Sequence, residues 1–133
     1  MIQAVADTHA LIWYLFGDRR IGPLAHSTIH DAETHGNHIA ISSITLIEIV
    51  FLSERGKIDS ATFARTLAET HRADAWLVEV PLDEQIARAM QAINRHATPE
   101  MPDRVIAATA LHLGVPVISR DPAIHASGLT VIW

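Results

Sequence analysis

Four carboxylates stand where an acid needs explaining. Asp7 closes the apolar run VAD, Glu48 is the one charge between Ile44 and Leu52, Asp103 opens DRVIAATAL, and Asp121 follows VPVISR. Three of them have ordinary structural uses. Asp7 and Asp121 are suited to cap a helix, the latter with Pro122 at its first position. Asp103 is a favourable charge for a first helical turn. Glu48 is harder to explain, because a helix places it on the face of Ile44, Ile47, Phe51 and Leu52. A charge there is costly unless it reaches water at the stripe's edge, pairs with an arginine or binds a cation.

Gathered in one place, these acids would repel one another, and only a compensating cation makes such a cluster tolerable. An all-oxygen set with no His or Cys ligands suits Mg²⁺ or Mn²⁺. Such ions polarise a phosphoryl oxygen and lower the pKa of bound water, so phosphodiester hydrolysis is the chemistry this set would serve best. Arg104 and Arg120 flank two of the acids and are suited either to touch an RNA backbone or to pair with those acids. Rival chemistries lack their motifs: there is no GxGxxG, GxxxxGK[ST], GxSxG or HExxH. Cys 0 excludes disulfides, zinc-thiolate sites and cysteine nucleophiles. His26 and His30 have i,i+4 spacing, but without a further ligand they read as a solvated helix face.

The elements that must position these residues follow from periodicity and punctuation. Short apolar runs predict strands at 2–6, 38–42, 76–80, 115–119 and 129–133. Helices are predicted from His9 towards Gly17, from Pro23 towards Gly36, over 44–54, from a cap at Asp59 or Ser60 through Ala73, over 83–96 and over 103–113, with a short turn or helix at Asp121-Pro122. The order is β-α-α-β-α-α-β-α-α-β-α-β. Strands separated by helical crossovers predict an α/β fold with a mainly parallel sheet covered on both faces. Ligands then bind outside the carboxyl ends of the strands, which is where Asp7 and Asp121 fall. Six successive apolar residues from Leu11 to Phe16 exceed what one interior face accepts, so part of that helix is expected to meet another chain or a covering helix.

Composition bounds the partners. The 133 residues are 49% hydrophobic and 19% charged, which fits one domain over 1–133 and excludes disorder. A net charge of −5 argues against a general polyanion binder. No secretion signal opens the chain, and no apolar run approaches the roughly 20 residues of a membrane span. A cytoplasmic protein without membrane contact is the expectation.

The stretches VADTHALIWYL, SSITLIEIVFL, MPDRVIAATALHLG and VPVISRDPAI resemble, in order and spacing, the four motif blocks of PIN-domain proteins. They are most similar to the VapC-type toxins of prokaryotic toxin–antitoxin pairs. The resemblance implies a three-layer α/β/α sandwich and a Mg²⁺- or Mn²⁺-dependent endoribonuclease, the toxin component of a type II system, leaving 5′-phosphate and 3′-hydroxyl ends. It assigns Asp7 and Asp103 as main metal ligands, Glu48 as ligand or nearby supporting acid, and Asp121 as the most replaceable of the four. Thr8 would support the site by hydrogen bonding, and Ser119 stands where many relatives carry Thr. Homodimers, an RNA substrate and a cognate antitoxin that occludes the site are also implied. Two other readings were open to these residues. A phosphoacceptor signalling domain would need an acidic pair after the first strand and a lysine after the last, whereas Asp7 is single and Lys57 is the only lysine. A non-catalytic PIN-like binding module has no need of all four acids.

Overall fold

A computed structural model describes residues 1–133. The first half of the chain runs β1 (Ile2–Ala6), α1 (Thr8–Leu15), α2 (Pro23–Thr34), β2 (His38–Ser42), α3 (Ser43–Glu54) and α4 (Thr62–His71). The second half runs β3 (Leu77–Val80), α5 (Glu84–Met90), α6 (Met101–Leu113), β4 (Val117–Ile118), α7 (Pro122–His125) and β5 (Val131–Ile132). All strand pairs are parallel, in the order β3-β2-β1-β4-β5. The chain therefore builds outward from β1 in both directions, and the reversal lies between β1 and β4.

Period-two alternation divides the strands between two apolar layers. Ala4 and Ala6 of β1 and Ile39 and Ile41 of β2 face one core with Leu11, Trp13, Ile29 and Ile49. Val5 and Ala40 face the other, with Ile86, Ile106 and Ala107. The result is the expected three-layer α/β/α sandwich. Ala40 on the sheet and Ala107, Ala108 and Ala110 on α6 are all buried, so small side chains let that helix lie close to the strands.

Several boundaries differ from the sequence reading, for local reasons. The helix expected over 83–96 stops at Met90, and turns follow. There the Asn94 side chain accepts the N–H groups of His96 and Ala97, offering the backbone an alternative to the helix. The helix expected from Asp59 or Ser60 begins at Thr62, because Asp59 spends its carboxylate on Ala61 N–H at 2.7 Å in the preceding turn. Helix α6 starts at Met101, two residues ahead of Asp103. The strands expected over 115–119 and 129–133 narrow to two residues each.

The apolar run on α1 is met by covering helices, the second of the two expected routes, since Ala25, Ile29 and Ala32 of α2 and Ile49 of α3 share its core. Leu11, Ile12, Trp13 and Leu15 are buried within the chain's own first core, and Tyr14 packs half-buried against it. Phe16, beyond the last turn, is 38% exposed. Helix α1 is thus nearly enclosed by its own fold, and the surface it leaves for another chain is small.

Candidate active site

Each acid is delivered by the end or face of a different element. Asp7 leaves β1 as its N–H donates to Ile118 O and its Oδ1 accepts Ala10 N–H at 2.8 Å, capping α1. It is buried, at 8% exposure. Asp121 follows β4, caps α7 through Ala123 N–H at 2.8 Å, and receives support from Ser119, whose Oγ accepts Asp121 N–H at 3.0 Å. Because β1 and β4 are neighbours, Asp7 and Asp121 flank the point where strand order reverses. Open parallel sheets form their binding crevice at that point.

Glu48 comes from the middle of α3. It is half-buried, while Ile47 and Phe51 on the supposed apolar face are 44% and 55% exposed. Its carboxylate therefore lies at the edge of the packed surface, where Thr8 Oγ1 donates to Oε1 at 2.5 Å. The Thr8 hydroxyl also stands 3.1 Å from Thr45 Oγ1. Asp103, in the first turn of α6, is half-buried, and no hydrogen bond relieves it.

Electrostatics link the four acids chiefly through Asp103. Burial pushes the Asp7 carboxyl up, helped by Asp121 and opposed by Ser119, Ala10 N–H and His9. Burial likewise raises Glu48, with Asp7 adding to the rise and Thr8 and His9 opposing it. Asp103 is raised to about 6, first by burial and then by Asp121, Glu48, Asp7 and Glu100. The chain's ion pairs join Arg20 to Asp18, Arg72 to Glu69 and Asp74, and Arg88 to Glu84. None involves the four acids. As the side chains stand, no three of them converge closely enough to grip one ion: Asp7 and Asp121 each commit an oxygen to a cap, and Glu48 leans on Thr8.

The two arginines named from the sequence part ways. Arg104 turns inward, donating from Nη2 to Met90 O and Ile93 O, and so joins α6 to the end of α5. Arg120 is exposed and lies over the Trp13 ring, with Cζ 4.4 Å from the centroid. It has company that sequence reasoning missed. A pocket of about 410 Å³ beside Asp7 and Asp121 is also lined by His9, Arg20 and Trp133. Only the Arg-rich cation content hinted at it.

Comparisons with known proteins place the fold in a family. The PIN domain family model matches residues 4–127. The chain belongs to the PIN-domain family. Among solved structures, VapBC2 from Rickettsia felis bound to a promoter DNA fragment superposes with a TM-score of 0.71 at 14% identity, covering 98% of this chain and 97% of that one. A toxin–antitoxin complex from Klebsiella pneumoniae gives 0.65 at 26% identity, with the same coverage of both chains. VapBC-5 from Mycobacterium tuberculosis gives 0.58 at 23% identity, covering 98% and 96%. Comparison by sequence with curated proteins gives no match. No helix of this PIN domain is long and apolar enough to cross a membrane.

Proposed function

We propose that this PIN domain is a Mg²⁺- or Mn²⁺-dependent endoribonuclease and the toxin of a type II toxin–antitoxin pair in the cytoplasm. The observation that carries the reading is that, beside burial, the charges of Asp121, Glu48 and Asp7 all raise the Asp103 carboxyl, at a sheet edge where Asp7 and Asp121 flank the reversal point and no basic partner is in salt-bridge contact. A hard divalent cation fits this donor chemistry, since it relieves the repulsion and takes only oxygen ligands. Asp7 and Asp103 would be its main ligands and Asp121 the most replaceable. Asp103, half-buried and held by no hydrogen bond, is the side chain free to swing in, while Thr8 keeps Glu48 at the edge of the site. When bound, the metal neutralises charge on the phosphoryl oxygens and lowers the pKa of an attacking water.

The residues' own work is positioning. Asp7 is fixed by its cap, and Thr8 and Ser119 orient Glu48 and the turn before Asp121. The carboxylates hold a water in line with the leaving oxygen and accept its proton. The water oxygen bonds to phosphorus as the bond to O3′ breaks, and a proton passes to O3′. The products are a 5′-phosphate and a 3′-hydroxyl, with no role for the ribose 2′-OH.

The similarity to the Klebsiella pneumoniae complex, at 26% identity over 98% of the chain, supports a cognate antitoxin as partner. Ile47 and Phe51, exposed on α3, supply apolar surface suited to that partner or to a homodimer. The deciding experiment is RNA cleavage by wild type and Asp103→Asn, in Mn²⁺ and in chelator. Cleavage confined to wild type with metal is expected. Equal cleavage by both proteins, or none by either in Mn²⁺, would remove the reading.

A further inference from the structure

The pocket that Asp7 and Asp121 line on one side is lined on the other by two arginines. Trp13, 6% exposed, forms its floor, and Arg20 and Arg120 hold their guanidinium carbons 4.8 and 4.4 Å from its ring centroid. Trp133 meets Trp13 edge-on at 5.8 Å, and His9 meets it at 5.6 Å. A buried aromatic that receives two arginines fixes where those cations stand. The two arginines are not equivalent. Arg20 already donates from Nε and Nη2 to the Asp18 carboxylate, whereas Arg120 appears in none of the chain's ion pairs. Arg120 therefore keeps its fork of donors for an incoming anion.

Trp133 is held in place from behind. A Cβ on Gly22 would lie 2.5 Å from the Trp133 carbonyl carbon and 2.6 Å from its Cδ1, so only glycine lets this tryptophan settle there. The half-buried indole borders the pocket, at whose edge stand Asp7 and Asp121.

We infer that this pocket is a nucleotide subsite for single-stranded RNA, in which Arg120, assisted by Arg20, takes a phosphate flanking the scissile one and Trp133 stacks on a base. Cationic donors interleaved with aromatic surface are what an unpaired nucleotide requires, because every base offers a face and every link a phosphate. Position adds to chemistry. A chain anchored there is led past Asp7 and Asp121, and the overall charge of −5 makes such a local cationic anchor necessary for a polyanionic substrate. The subsite rests on the ribonuclease reading for its purpose, but its binding is measurable without cleavage.

The test uses the full chain in chelator and a short fluorescent single-stranded RNA, with a matching abasic chain for comparison. Anisotropy titrations compare wild type with Arg120→Ala, Trp133→Leu, Arg20→Ala and, as an exposed arginine elsewhere, Arg95→Ala, after thermal melting shows each is folded. Arg120→Ala and Trp133→Leu should each weaken binding on the order of tenfold, and Arg20→Ala less. Arg120→Ala should also reduce the salt dependence by about one phosphate contact. The abasic chain should respond to Arg120→Ala but not to Trp133→Leu. Equal losses with Arg95→Ala, no loss with Arg120→Ala, or tighter binding of a glutamate-rich peptide than of RNA would overturn the subsite. Wild type that binds RNA in this pattern yet never cleaves it in Mn²⁺ would sink the nuclease reading and leave the subsite standing.

Discussion

Replacing Asp103 by asparagine isolates the cost of holding four acids together. Asp103 sits at about 6, against an ordinary 3.8, through burial and the charges of Asp121, Glu48, Asp7 and Glu100. Below about pH 4 the carboxyl is protonated in folded and unfolded chains alike and costs nothing. As pH rises towards 6, the unfolded chain has lost its proton while the folded chain keeps it, so stability falls through that window. At 1.36 kcal/mol per pH unit the full cost above pH 6 is about 3 kcal/mol. Asp103 is only half-buried, and solvent screening reduces this to about 1.5 kcal/mol. Asparagine also gives up the favourable first-turn charge, about 0.5 kcal/mol; no hydrogen bond is lost with it. Without metal, Asp103→Asn should be about 1 kcal/mol more stable than wild type near pH 7.5, melting roughly 3–4 °C higher, and no more stable near pH 4. Calorimetry in chelator at both pH values measures it. Millimolar Mn²⁺ should then reverse the order, since ligand at a hundred times Kd adds about 2.7 kcal/mol to wild type and much less to the variant. A variant less stable than wild type at the higher pH, or gaining equally from Mn²⁺, would refute the reasoning that these acids form one strained cation site.

Asp7→Asn and Asp7→Ala should both lose RNA cleavage. Only alanine gives up the acceptor for Ala10 N–H, and it should cost about 1 kcal/mol more in denaturant titration. Thr8→Val removes the donor that opposes the rise of the Glu48 carboxyl, so the acid limb of the cleavage pH profile should move to higher pH while the fold persists. Gly22→Ala should destabilise by about 1–3 kcal/mol through overpacking, because its Cβ meets the Trp133 backbone. Gly22 has φ −69°, so the cost is contact and not backbone strain. A shift in tryptophan emission that disappears in a Trp133→Phe background would place the disturbance at Trp133, as the chain has two other tryptophans.

The fold was legible because its signals are local. Alternation in 2–6 and 38–42, the Gly22-Pro23 start of α2 and Gly114 at φ +69° after α6 each act within a few residues, and the parallel sheet follows from their order. The errors arose where a side chain competed with the backbone, as Asn94 does after α5 and Asp59 before α4. The apolar run of α1 left two routes open, another chain or a covering helix, and the fold takes the second. Amphipathicity presumes one wet face, but α1 is surrounded by packed apolar residues on nearly every side, so its surplus hydrophobicity reports burial within the chain and says little about a partner.

Asp7 and Asp121 were legible because each follows a strand at the point where the sheet's order reverses, whereas Glu48, in the middle of α3, was marked only as a lone charge in an apolar run. The pocket beside the acids was not legible, since only His9 and Trp13 share a helical i,i+4 spacing and Arg20, Arg120 and Trp133 come from separate parts of the chain. Only the parallel pairing of β1 with β4 and of β4 with β5 carries Arg120 and Trp133 to the helix that holds Trp13. The excess of arginine over lysine, nine to one, is ambiguous until placement separates its uses. Arg104 is spent on the carbonyls of Met90 and Ile93, Arg20 is shared with Asp18, and Arg120 stands exposed over Trp13. On the proposed ribonuclease reading, an acidic chain must separate the charge that would hold metal from the charge that would hold phosphate. Here the reversal between β1 and β4 sets the two side by side, with Asp7 and Asp121 on the border between them.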